Sequence, residues 1–211
     1  MTETAQERET QRLEAFSDGV FAIAITLLVL EIRVPHLEEG EILSGALLRL
    51  WPSYAAYAFS FLMIGIFWVN HHSFFRLFRR VNHAFLVMNV FFLMFVSFIP
   101  FPTAVLADHL KESELQTAVT FYTLGLALPV LMWFGMWLYG SRQYRLIDPR
   151  LAPSYVMSLT RQYAVSNALY ISAVLISLVS AVLGLVICVG LSLLYLFPPK
   201  QPRYRDFEAG G

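Results

Sequence analysis

Charge is scarce in this chain, and cysteine nearly absent. Only 14% of its 211 residues are charged, 57% are hydrophobic and the mean hydropathy is +0.60, which lies outside ordinary soluble composition. The 15 basic and 15 acidic residues cancel, so the basic footprint of a nucleic-acid binder is missing. One cysteine, Cys188, sits in an apolar run, which excludes an intrachain disulfide framework or a cysteine zinc site. No basic segment followed by an apolar core opens the chain, whose start MTETAQERETQRLEAF is polar and mixed in charge, so the first span is expected to be its own insertion signal. The apolar runs do not alternate, which excludes a membrane barrel. No internal repeat is visible, and the tetrapeptide Phe16-Ser17-Asp18-Gly19 occurs once, which weakens an inverted-repeat transporter.

What the chain does have is apolar length. After a polar lead (1–15), hydrophobic runs and their breaks predict six membrane helices at about 16–34, 51–70, 84–105, 118–139, 158–177 and 180–197, then a polar tail from 199. Pro35 stops the first, Trp51-Pro52 opens the second, the Pro100-x-Pro102 pair ends the third, and Pro129 predicts a kink in the fourth. The segment EILSGALLRL is amphipathic enough for a short interfacial helix. The last two spans share one run of apolar residues, with the turn placed near Ser177–Ser180. With the N-terminus inside, 12 of the 15 basic residues fall on the inner segments and 3 (Arg33, Arg49 and Lys111) outside. The fold class predicted is therefore an all-α, six-span, multi-pass integral membrane protein with both termini cytoplasmic.

The first span organises the rest. On a helical wheel Phe16, Gly19, Val20, Ile23, Leu27, Leu30 and Val34 share one side, with Thr26 at its edge, while Asp18 lies roughly opposite with Ala22, Ile25 and Val29. A carboxylate near the start of a span needs a partner or water. Asp18, Asn70 and Asn89 enter from three helices at similar depth, beside His71 and His72. A hydrogen-bonded cluster there would satisfy Asp18 and tie the first three spans together.

Several chemistries find no support in this pattern. His71 and His72 are adjacent, about 100° apart on a helix, and chelate poorly, so no metal site is predicted. Ser17-Asp18-Gly19 is not a nucleophile elbow, and no catalytic residues are predicted. The potassium-filter sequence TVGYG is absent, as is any acidic ring near mid-span. Composition and spacing alone allow a pore lined by an apolar row, or alternatively a proton-coupled secondary transporter using Asp18 and the nearby histidines.

The motif itself narrows the choice. Arg12-x-x-x-Phe16-Ser17-Asp18-Gly19-Val20, followed by Ala22-Ile23 and Thr26-Leu27-Leu28, resembles the first-span signature of the transmembrane protein 175 family of endolysosomal-type potassium channels and their prokaryotic relatives. Trp68-x-x-His71-His72-x-x-Phe75 and Asn89 are also similar to that family; the last three spans match only in number and hydrophobicity. The resemblance implies a single-repeat prokaryotic member in the plasma membrane, assembled as a homotetramer with K⁺ as permeant ion and no cofactor. It further implies that the first helix lines a central pore constricted by Ile23, Leu27 and Leu30, with Thr26 as a possible pore hydroxyl. Arg12, Phe16, Ser17, Asp18 and Gly19 would be a structural signature packed on Asn70, His71, His72 and Asn89.

Overall fold

The structure is a computed structural model that describes residues 3–37, 39–40, 42–110, 113–196 and 201–205, with side chains described from residue 10 onward. Among the described residues eight α-helices follow one another: α1 Glu3–Leu27, α2 Leu43–Arg49, α3 Trp51–Phe75, α4 His83–Phe98, α5 Pro100–His109, α6 Leu115–Ser141, α7 Pro153–Ser177 and α8 Ala181–Leu194. A 3₁₀ turn, Leu28–Glu31, extends α1 to the stop before Pro35. Among the described residues there is no strand beyond two isolated bridges.

Local chemistry places the boundaries. Pro52 sits in the first turn of α3 and Pro153 in that of α7, where the missing N–H is no loss. Asn82 caps α4 by accepting from the Phe85 amide, and Ser180 accepts from the Leu183 amide at the start of α8. The Pro100-x-Pro102 pair does not end the third membrane helix as the sequence suggests. Pro100 and Pro102 lie in the first turn of α5, where proline is tolerated, and the chain continues as helix to His109. Pro129 is likewise taken up inside α6.

Among the described residues four segments are long and apolar enough to cross a membrane: Thr10–Glu31, Trp51–Phe75, His83–His109 and Leu115–Tyr144. α7 has the length but carries Arg161, Gln162 and Asn167, and α8 is apolar but only 14 residues long. α6 is the central helix, packed on α4, α5, α7 and α8, while α1 lies at the periphery against α3 and α4. The core where α3, α4 and α6 meet is aromatic: Phe74 and Trp133 lie 4.6 Å apart between ring centroids, Phe78 and Phe85 4.8 Å, and Phe92 and Trp133 5.4 Å. Buried hydroxyls join helices across it, with Ser60 Oγ 2.8 Å from Thr103 Oγ1 and 2.9 Å from Tyr122 Oη. In an apolar surround such pairs hold helices in register without a hydrophobic driving force.

Candidate functional site

α1 has three faces rather than the two expected. Leu13, Ser17, Phe21, Ala24 and Leu28, spaced by four and three, are buried against α3 and α4. Phe16, Gly19, Ile23, Thr26, Leu27 and Leu30 form a second, exposed row, with Ile23 61% and Leu30 70% exposed. Asp18, Ala22 and Val29 form a third, also exposed, and Ile25 of that sector is half-buried. Each residue step turns a helix by about 100°, so Ser17 and Asp18, adjacent in sequence, serve different faces.

That rotation changes which side chain anchors the helix. Asn89 Nδ2 donates to Ser17 Oγ at 3.0 Å, and Ser17 Oγ donates to the Leu13 carbonyl at 2.8 Å. His71 Nε2 lies 3.2 Å from Asn89 Oδ1, which fixes the tautomer with the proton on Nε2. All three side chains are buried, so the chain Ser17–Asn89–His71 joins α1, α4 and α3 in a low-dielectric interior. The His71 ring is stacked near-parallel on Phe92 at 5.8 Å and meets the edge of Phe21 at 5.4 Å.

Asp18 is held separately. Its Oδ1 accepts from the Trp68 indole N–H at 2.9 Å on the exposed edge between α1 and α3. His72 Nδ1 lies 3.9 Å from the Glu14 carboxylate. Asn70, which the sequence groups with Asp18 and Asn89, turns the other way: its Nδ2 donates to the Ile66 carbonyl of its own helix, and the side chain lines a cavity on the α6–α7 side. Arg12 is exposed. Thr26 Oγ1 donates back to the helix, 2.8 Å from the Ala22 and 3.0 Å from the Ile23 carbonyl, which leaves its oxygen lone pairs facing outward. Around Gly19 a Cβ would meet nothing within 4 Å, so packing inside the subunit does not require a glycine there. Among the described residues no group of three His, Cys, Asp or Glu side chains is placed to hold a metal ion.

The family profile described as endosomal/lysosomal potassium channel TMEM175 matches residues 12–100, the stretch that holds α1, α3, α4 and their polar anchor. A potassium channel of Chamaesiphon minutus is 42% identical over 198 residues, covering 92% of this chain and 97% of that protein. The chain belongs to the TMEM175 family. A potassium channel of Streptomyces collinus is also 42% identical, over 190 residues, covering 90% of this chain and 92% of that protein. The fold agrees: the crystal structure of a lysosomal potassium-selective channel TMEM175 homolog from Chamaesiphon minutus superposes with a TM-score of 0.81 at 40% identity, covering 90% of this chain and 97% of that one. TMEM175 is a family of ion channels, not of enzymes.

One structural device escaped the sequence reading. Asp148, in the segment read only as a basic connector, is buried between Arg79 Nε at 3.1 Å and Arg150 Nη2 at 2.8 Å. Backbone bonds reinforce this clamp of the two connectors: the Arg79 amide donates to the Leu146 carbonyl and the Asp148 amide to that of Leu77. The hydrogen-bonded Arg150 guanidinium, with Arg79 beside it, holds the Asp148 carboxyl below the usual carboxylate range. Residues 201–205 are strapped to the same connector, the Ala152 amide donating to the Arg203 carbonyl and that of Arg205 to the Arg150 carbonyl.

Proposed function

We propose that this TMEM175 member is a subunit of a potassium channel, a homotetramer in a prokaryotic plasma membrane whose central pore is lined by the exposed apolar row of α1. The observation that carries this reading is that row itself. Ile23, Leu27 and Leu30 stand on the side of a peripheral helix turned away from its own subunit, in a chain 42% identical to a potassium channel over almost its whole length. Four copies of such a row around an axis make rings of bulky side chains that narrow the pore. An aliphatic ring offers no oxygen to replace hydration water, so the closed constriction excludes ions by dewetting, and conduction needs it to widen and wet. The outward lone pairs of Thr26 are the nearest ligand oxygens to the Ile23 and Leu27 rings. Under this proposal six helices span the bilayer, α7 and α8 completing the count, with both termini on the cytoplasmic side, where most of the arginines lie.

The signature then has a mechanical role. Ser17, Asn89 and His71 set the rotation of α1, so that Ile23 faces the axis and not the core. Asp18 and His71 sit in separate hydrogen-bonded pairs, with Trp68 and Asn89, which gives the proton-relay reading no supporting contact. The native thiol, Cys188, is fully buried, so cysteine scanning suits this chain. In a Cys188→Ala background, cysteine at Ile23 or Leu30 should react with a water-soluble thiol reagent and block K⁺ flux into proteoliposomes. Cysteine at Val29, on another face of the helix, should react without block. Block from Val29 and none from Ile23 would refute the assigned pore face.

A further inference from the structure

A cleft of about 590 Å³ opens at the connector end of the subunit, away from α1. Its walls are the end of α3, the first half of α7 and the C-terminal strap 201–205. α3 packs on α1 and α5, whereas α7 packs on α6 and α8. Their main partners differ, so a gap stays between them. The strap is a built wall and not a loose tail. The Ala152 amide donates to the Arg203 carbonyl, the Arg205 amide donates to the Arg150 carbonyl, and the Arg150 guanidinium lies 5.6 Å from the centre of the Tyr204 ring.

The cleft is graded in polarity. Phe74, Leu77 and Leu159 are buried and give it an apolar floor, while Arg76, Gln201 and Tyr204 are exposed at its rim. All three rim side chains can donate hydrogen bonds, through a guanidinium fork, an amide and a phenol. No carboxylate is among the described residues that line the cleft. The neighbouring Arg79 and Arg150 are both paired with Asp148. Arg76 makes no hydrogen bond or ion pair among the described residues, and Glu14 of α1 acts on it only through space.

We infer that this cleft seats an anionic phospholipid of the cytoplasmic leaflet, its phosphodiester on Arg76 and the strap, and its acyl chains on the apolar floor between α3 and α7. The rim chemistry calls for an anion rich in acceptor oxygens, and a guanidinium matches a phosphate with two parallel bonds. The floor calls for hydrocarbon, so the ligand is an amphiphile and not a small free anion. The end of a spanning helix on the arginine-rich side lies at headgroup depth, where basic pockets between helices take anionic headgroups. The volume falls within the ordinary range of ligand sites, about 300–1,000 Å³. This inference rests on the membrane placement proposed above, with this end cytoplasmic, and not on the pore face of α1.

The test uses native mass spectrometry of the full-length protein in detergent. Dioleoyl phosphatidylglycerol is titrated beside dioleoyl phosphatidylcholine, which has the same chains and no net charge. The wild type should retain phosphatidylglycerol in preference. Arg76→Gln should weaken phosphatidylglycerol by about fivefold, the worth of one arginine near an anionic surface, and leave phosphatidylcholine unchanged. Arg161→Gln, exposed on α7 outside the cleft lining, should change little. Ser73→Trp, which fills the cleft with a large ring, should weaken both lipids. Millimolar glycerol phosphate should not displace the lipid; displacement would assign the site to soluble phosphates and overturn the lipid. Equal losses from Arg76→Gln and Arg161→Gln would mean diffuse attraction to a basic face, and would also overturn the inference. Protease access to the C-terminus in inside-out vesicles checks the placement separately. No preference for phosphatidylglycerol with the C-terminus inside would sink this inference alone.

Discussion

At the scale of single residues, the hydrogen bond from Asn89 to Ser17 lies on the buried face of α1, together with Leu13, Phe21, Ala24 and Leu28. The sequence identifies the tetrapeptide that matters but leads to Asp18 as its anchor, since a carboxylate in an apolar span is the louder signal. The quieter signal was present: Ser17 falls in register with Leu13, Phe21, Ala24 and Leu28, the buried face. Asn70 misleads for a related reason, because depth along a helix is legible in sequence but rotation about its axis is not, and Asn70 and His71 point about 100° apart. Removing the acceptor with Ser17→Ala leaves a buried amide unpaired and should destabilise the subunit by about 1–3 kcal/mol, read as a lower Tm in detergent. Asp18→Asn keeps an oxygen for the Trp68 indole, so K⁺ flux should persist and stay independent of an imposed pH gradient. A flux that vanishes in that variant and needs a proton gradient in the wild type would favour a transporter.

Between elements, two close approaches define the architecture. Ser177 at the end of α7 and Gly184 in α8 meet so tightly that a Cβ on Gly184 would lie 2.5 Å from the Ser177 Cβ and 2.7 Å from its Cα. Gly184→Ala should therefore cost about 1–3 kcal/mol through forced helix separation, seen as a fall in Tm. Gly19→Ala, on the open face of α1, should leave the isolated subunit as stable as before. The connector clamp is the other approach. The pairing of Asp148 with arginines 69 and 2 residues away in sequence could not be read from a segment whose local composition is simply basic. Its carboxyl is held below its unfolded value, so the stabilisation is present above the ordinary carboxylate pKa and is lost as pH falls through the lower folded value. The Tm gap between wild type and Asp148→Asn should be constant from about pH 7 to pH 5 and close below about pH 4. A gap that widens on acidification would contradict the clamp.

For the whole molecule, the helical class and most helix starts were legible, because long apolar runs, prolines in first turns and asparagine or serine caps act locally. The breaks between spans were uneven: α5 continues beyond a proline pair, whereas the turn placed near Ser177–Ser180 falls where α7 ends at Ser177 and α8 begins at Ala181, with Ser180 as its cap and no polar gap between them. The assembly proposed here draws on what the subunit leaves uncovered on α1, the row from Ile23 to Leu30. The most direct measurement is downhill ion flux into proteoliposomes, first under a K⁺ gradient and then under a Na⁺ gradient, for wild type beside Ile23→Asn. The pore account predicts that wild type passes K⁺ in preference to Na⁺, and that an amide at position 23 raises total flux while eroding the preference. If Ile23→Asn leaves both rate and preference unchanged in a correctly folded protein, the apolar row of α1 does not line the conduction path.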